Sequence, residues 1–337
     1  MLNPSQISEI QQQLSKSHKI AITTHYNPDG DAVGSLLALR SYFTSQGYDV
    51  KCVIPNNMPE FYMWMPGADS IINAQKHFKE AKKILKEADI LFLVDMSAEH
   101  RSGVDLENIL IETTAYKVLI DHHLEPTAKC HLIYSDTNTT STCENIYRFL
   151  NEITDKLFLN KEIATCIYTG IITDTGSLSF SCNDPETYCL IAELMKIGVD
   201  GEEIHRKIYD NYSESRIRLL GLCLNKLKVL PHIGTSYMYL TREEMKTSNF
   251  KEGDTEGFVN YGISLKGIFF TAFFTERDKR IRISFRSKEG FDVNKFAQTY
   301  FNGGGHRSAA ASYHYDTLEN TIKYFEEIIE KHPELKK

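Results

Sequence analysis

Three near-continuous apolar runs each stop on an acidic or imidazole side chain, and this repetition constrains the fold more than any other feature of the chain. Residues 19–24 (KIAITT) lead into His25-Tyr26-Asn27-Pro28-Asp29-Gly30-Asp31, residues 89–95 (DILFLVD) end on Asp95, and residues 116–121 (YKVLID) open into Asp121-His122-His123. Short apolar runs rich in β-branched residues, separated by helical patterns, read as strands of a parallel sheet covered on both faces. Residues 49–54 read as a further strand. Helices are expected at 32–45, with Val33, Leu36, Leu37 and Phe43 near one face and Gly47 as a C-terminal cap, and at 78–87, 142–150 and 162–173, the last delivering Asp174. In an open parallel sheet the carboxyl ends of the strands form the ligand crevice, so these sequence-distant residues converge by topology.

A chain of 337 residues favours two domains. From about 184 to 230 the pattern is helical, with helices at 202–209 and 216–227. A new pattern begins near Pro231: strands at 237–241, 268–276 and 280–286, a hairpin turn at 276–279, and helices at 293–300 and 318–329. The expected domains are 1–200, with a helical linker from about 190, and 215–337. The fold class is α/β: a parallel-sheet amino-terminal domain with helices on both faces, then a smaller α/β domain with a mixed sheet.

A net charge of −7 supplies no field for long nucleic acid. Seven cysteines without a C-x-x-C pair fit reduced thiols and argue against a zinc ribbon or a disulfide framework. The first twenty residues lack an apolar signal-peptide core, and no apolar run reaches membrane-spanning length. A soluble cytoplasmic protein is expected, with no membrane partner.

Pro28, Asp29 and Gly30 would suit any strand-to-helix turn, with Asp31 as a helix N-cap. Yet His25, Asp29 and Asp31 offer three ligands within seven residues, and such a carboxylate density repels itself unless cations neutralise it. Adjacent histidines after an aspartate point the same way chemically. In an extended segment their side chains would alternate, one free to bind metal and the other to reach substrate or hydrogen-bond a neighbour. Asp95 and Asp174 gain weight only from this company. Together these groups suffice for two divalent cations, a standard device for activating water against a phosphate ester. Gly303-Gly304-Gly305-His306 reads either as a flexible loop or as a backbone that approaches phosphate closely, aided by the start of a following helix. Arg282 and Arg286 share one face of a strand and are candidates for phosphate forks. Arg101 and His100 would sit on the rim beside Asp95. Trp64 reads as core or as a contact between elements.

The stretches H-x-N-P-D-G-D-A-x-G-S at 25–35, V-D at 94–95 with Arg101, I-D-H-H at 120–123, G-I-I-T-D-T-G at 170–176 and G-G-G-H at 303–306 together resemble the DHH/DHHA1 phosphoesterases. The likeness covers essentially the whole chain. It looks closest to short bacterial members that degrade short oligoribonucleotides and dephosphorylate 3′-phosphoadenosine 5′-phosphate. The resemblance implies one cation held by His25, Asp29 and Asp95, and a second by Asp31, Asp95, His122 and Asp174, with Asp95 bridging. Mixed imidazole and carboxylate ligation suits manganese, with magnesium or cobalt as alternatives. It further implies catalytic roles for His123, Asp95 and Arg286, and substrate contacts from Arg101, Arg282, Arg286, Gly303, Gly304, Gly305 and His306. Substrates would be short RNA oligonucleotides or nucleotides, and a homodimer is compatible. One departure is Ala311, where the family commonly has glycine. Rival readings are a pyrophosphatase or polyphosphatase, a linear or cyclic dinucleotide phosphodiesterase, and a nucleotide-binding regulator without chemistry.

Overall fold

The computed structural model describes residues 2–288 and 290–336, in two compact units that divide between Asn211 and Tyr212. The first begins with α1 (Pro4–Lys16), β1 (Lys19–Thr23), α2 (Gly30–Ser45), β2 (Asp49–Ile54) and β3 (Ile72–Asn73). There follow α3 (Phe78–Glu87), β4 (Ile90–Val94), α4 (Val104–Glu112), β5 (Tyr116–Asp121) and β6 (Leu132–Ser135). Four helices complete it: α5 (Thr142–Ile153), α6 (Lys161–Asp174), α7 (Pro185–Ile197) and α8 (Gly201–Tyr209). Its six strands run in the order β3-β2-β1-β4-β5-β6, every pairing parallel. Because the order reverses between β1 and β4, a crevice opens at their carboxyl ends.

Side-chain alternation divides the apolar residues between two faces. Ile20, Ile22, Phe92, Val94 and Val118 pack with α2, α5 and α6 on one side. Ala21, Leu91, Leu93 and Leu119 pack with Leu85 of α3 and Leu106 and Leu110 of α4 on the other. The α2–α5–α6 layer is unusually close because it is built on glycine. A Cβ on Gly34 would meet the Cys166 carbonyl at 2.7 Å, one on Gly30 would meet Thr173 Oγ1 at 2.4 Å, and one on Gly170 would meet Cys143 Sγ at 2.2 Å. These three glycines are taken up by helix–helix contact.

The second unit contains α9 (Glu214–Asn225), β7 (Lys228–Leu230), β8 (Thr235–Leu240), α10 (Arg242–Thr247), α11 (Val259–Ile263), β9 (Phe270–Glu276) and β10 (Ile281–Ser287). Then come α12 (Val293–Phe301), β11 (Gly304–His306), β12 (Ala309–His314) and α13 (Leu318–Ile329). The sheet order is β11-β12-β10-β9-β8-β7, mixed because β8 and β9 run parallel while the other pairs are antiparallel. Phe270, Phe274 and Phe285 face Phe296 of α12 and Phe325 of α13. Met238 and Phe273 face Leu219 and Cys223 of α9 on the opposite side. Among the described residues no helix is long and apolar enough to cross a membrane.

The start of α10 carries a capping box in which Glu244 accepts from the Thr241 N–H and hydroxyl, and from Lys226. Partial burial works against ionisation, but Lys226 and Thr241 outweigh it and hold the Glu244 carboxyl below its usual value of 4.5. A depressed carboxyl stabilises the fold above the pKa of the unfolded chain, and that contribution disappears as pH falls through the folded value. The Glu244→Gln protein should thus melt below wild type at pH 7, with the gap closing in more acid solution. A gap in melting temperature that persists unchanged at pH 3 would contradict the assignment.

Candidate metal centre

Each presumed ligand is carried to the crevice by a different element. The chain leaves β1 at Thr23 and places His25 two residues on. Asp29 caps α2, accepting from the N–H groups of Asp31 and Ala32, so Asp29 rather than Asp31 is the N-cap. Asp31, freed from capping, points inward from the first turn. Asp95 follows β4 in a left-handed backbone conformation (φ 55°), with its N–H bonded to the Ile120 carbonyl. Aspartate is among the few residues that tolerate this region, and strain of this kind gathers at functional sites. Asp174 is the last residue of α6.

The side chains form two clusters of donors, each with ligand atoms within 4.8 Å of one another: His25 with Asp29 and Asp95, and Asp31 with His122 and Asp174. Asp95 joins them. Its Oδ2 lies 3.3 Å from His25 Nε2, while its Oδ1 lies 3.8 Å from His122 Nε2. On the second cluster's side, His122 Nε2 is 3.4 Å from Asp174 Oδ2 and 3.7 Å from Asp31 Oδ2. His25, Asp31, Asp95 and His122 are buried, whereas the side chains of Asp29 (47 % exposed) and Asp174 (28 %) leave the crevice open on their side.

The two histidines do not diverge as an extended segment would require. The strand ends at Asp121, the chain bends, and both rings come to Asp95, His123 Nδ1 at 3.6 Å from its Oδ1. A third group, Asp95 with Asp121 and His123, results. His123 Nδ1 donates at 2.8 Å to the fully buried Asp121, which sets the tautomer of the ring. The second Asp121 oxygen has no hydrogen-bond partner among the described residues. Sequence reasoning gave Asp121 no role, although an aspartate closing a wholly apolar strand was the signal.

The electrostatics are those of carboxylates and imidazoles crowded in a buried pocket. Burial and the neighbouring Asp95 charge push the Asp31 carboxyl well up, against the opposing influence of His122. For Asp95 burial acts in the same upward sense, but the hydrogen bond to His25 and the charges of His123 and His25 prevail and hold it well below the usual range. Burial lowers His25, but the Asp95 hydrogen bond and the Asp29 charge outweigh that and raise it. His123 is lowered by burial and by the Arg101 charge, despite Asp121. Two buried carboxylates side by side cannot both ionise cheaply, and hard oxygen donors interleaved with imidazoles are what divalent ions replace protons on. The donor set, the shared Asp95 and the unpartnered Asp121 oxygen all fit a pair of cations.

Arg101 lies in the turn Glu99–Ser102, whose Arg101 carbonyl accepts from the Tyr26 N–H at 2.7 Å. In the second unit the glycine run is neither a loop nor the entrance to a helix. Residues 304–306 form β11, paired with β12, so no helix dipole follows the run. The Gly303 N–H goes to Ala297 O and the Gly305 N–H to Asn294 Oδ1, while a Cβ at either glycine would fall 2.4 Å from a β12 carbonyl. Strand register sets Arg286 opposite Ala309 and Ala309 opposite His306, one transverse row on one face of the sheet. Arg282 lies on the same face of β10, within 3.9 Å of Glu252. Ala311 is exposed between Ser284 and Gly304, where its Cβ meets open space and not the core.

A doubly wound parallel unit with acid and imidazole ligands gathered at its switch point, followed by a mixed-sheet unit, defines a hydrolase acting on phosphoester bonds. The chain belongs to the DHH/DHHA1 family: residues 19–171 match the DHH family, N-terminal domain, and residues 234–331 match the DHHA1 domain. It is 28% identical to the bifunctional oligoribonuclease and PAP phosphatase NrnA of Thermus thermophilus over 87% of this chain and 83% of that one. An exopolyphosphatase-related protein from Bacteroides fragilis has a structure that superposes with a TM-score of 0.94 at 37% identity, covering 99% of this chain and 98% of that chain. RecJ from Thermus thermophilus, crystallised with Mn2+, shares the fold at 13% identity, with a TM-score of 0.58 over 98% of this chain and 55% of that one.

Proposed function

We propose that this protein hydrolyses short oligoribonucleotides to mononucleotides, and 3′-phosphoadenosine 5′-phosphate to AMP, at a centre of two divalent cations. The observation that carries the reading is the division of one carboxylate, Asp95, between the His25–Asp29 cluster and the Asp31–His122–Asp174 cluster. The activity for which the Thermus relative is named supports the substrate class, and the mixed nitrogen and oxygen donors support manganese, the ion bound in the RecJ structure. Bound there, such ions would supply Lewis-acid activation of a water and neutralise phosphoryl charge.

The chain's own residues do the rest. His123, held by Asp121 in one tautomer, is assigned the stabilisation of charge on the phosphoryl oxygens. Arg101, whose charge already bears on His25 and His123, assists on the rim. To the second unit the reading assigns the remainder of the substrate. Arg286 and His306, in one row with only the small Ala309 between them, bind phosphate and nucleotide, Arg282 follows along the strand, and the Gly303–Gly305 backbone keeps β11 close to β12.

The exopolyphosphatase-related description of the Bacteroides protein favours a second reading, hydrolysis of polyphosphate or pyrophosphate. A panel with manganese decides. Mononucleotide should be released from di- to pentanucleotides, and phosphate from 3′-phosphoadenosine 5′-phosphate, with kcat/KM well above that for pyrophosphate, tripolyphosphate or cyclic dinucleotides. Preference for the inorganic chains would reverse the assignment, and turnover of none of them in manganese would leave a binding protein.

A further inference from the structure

The first turn of α5 reaches back into the crevice. Ser141, Thr142, Cys143 and Glu144 are all buried, and three donors of this turn point at carboxylates from remote parts of the chain. The N–H groups of Thr142 and Cys143 donate to Asp31 Oδ2 and Oδ1 at 2.7 and 2.9 Å, and the Thr142 hydroxyl donates to Asp95 Oδ1 at 3.0 Å. We infer that Thr142 is a positioning residue for the second cation, acting through Asp95: its hydroxyl holds the rotation of the carboxylate that leaves one oxygen for each cluster. This rests on the two-cation reading above.

The backbone of Asp95 cannot do this alone. Its left-handed φ aims the Cα–Cβ bond, but the terminal torsion of an aspartate is broad and nearly two-fold. At Oδ2 the carboxylate meets His25 at 3.3 Å. At Oδ1 the imidazoles of His122 and His123 stand off at 3.8 and 3.6 Å, and the Thr142 hydroxyl is the group at hydrogen-bond distance. An ionised carboxylate only accepts, so the hydroxyl proton must point at it. The hold on Asp31 uses main-chain donors and would survive loss of the side chain. The helix start would survive too, because Ser141 caps the Glu144 N–H, and the Glu144 carboxylate is bound by Thr140, Thr187 and Arg148. Because His25 still meets Oδ2, loss of the hydroxyl should act more strongly on the second cation than on the first.

The test titrates metal-stripped protein with Mn2+, by calorimetry and by the spin-coupled EPR signal of a manganese pair. Outer partners of metal ligands typically contribute about 10–100-fold in affinity. Thr142→Val should bind the first ion nearly as wild type does and the second about 10–100-fold more weakly, with coupled signal appearing only at correspondingly higher manganese. Thr142→Ser should restore both. Activity should follow, the half-saturating manganese concentration rising while kcat at saturation recovers. Equal weakening of both ions together with a lower melting temperature would show a structural role only. Unchanged binding in Thr142→Val, beside two ions in wild type, would overturn the inference and leave the centre standing. Wild type that binds no pair would overturn both.

Discussion

Asp95→Asn protein should fold, and lose both turnover and manganese-induced stabilisation. Asparagine tolerates the left-handed backbone that Asp95 adopts, whereas alanine would add about 1–2 kcal/mol of strain there. The substitution also removes one of the charges that raise Asp31, so the cation-free fold is relieved of repulsion. What disappears is the anionic bridge between the clusters. Lewis-acid charge stabilisation amounts to several kcal/mol, so its loss corresponds to about a thousandfold or more in kcat/KM. A ligand that binds only the folded chain adds about 2.7 kcal/mol at a hundred times its Kd, and this increment should vanish from manganese-dependent melting curves. A variant that turns over normally, or is stabilised by manganese as wild type is, would refute the bridge.

The second large effect is expected where no ligand is altered. In Gly170→Ala the new methyl would lie 2.2 Å from Cys143 Sγ, 2.6 Å from its Cβ and 2.7 Å from Asp31 Oδ1. Cys143 is buried, and Asp31 is held at both oxygens by the Thr142 and Cys143 N–H groups, so neither side chain swings aside freely and α6 must move away from α2 and α5. Overpacking of this kind costs about 1–3 kcal/mol, roughly 2–4 °C of melting temperature per kcal/mol in a unit of this size. Because α6 ends on Asp174, its displacement carries a ligand away from Asp31 and His122. Activity and second-ion affinity should fall further than stability alone explains. Adding Cys143→Gly removes the two nearest contacts and should recover part of both. Gly170→Ala protein with wild-type melting, manganese affinity and rate would show that the helices are not in such close contact.

Much of this could be read from the residues before any coordinates. Apolar runs ending on Asp95 and Asp121 announced a parallel sheet and its carboxyl edge, and the helix delivering Asp174 was placed to within a residue. What escaped was whatever depended on a partner distant in sequence. The convergence of both histidines on Asp95 escaped because alternation holds only inside a strand, and the strand stops at Asp121. The run Gly303–Gly305 suggested a backbone that approaches phosphate; that the same glycines allow β11 to pack closely against β12 was not legible in it. Gly34 and Gly170 were part of a recognised pattern, yet nothing in that pattern says that glycine is there for helix crossing. Thr142 lay within view: Ser141 with Glu144 is a capping pattern before an apolar run, and it marks a helix start whose donors need acceptors.

The crossing of α6 over α2 also bears on when the site first comes together. Domains assemble largely as units while the ribosome is still translating. A nascent chain that has exposed His25 through His123 but not yet Asp174 has the sheet and most of the ligands, and still lacks the carboxylate that closes the second cluster. The second cluster is therefore completed late in synthesis, with the emergence of one helix.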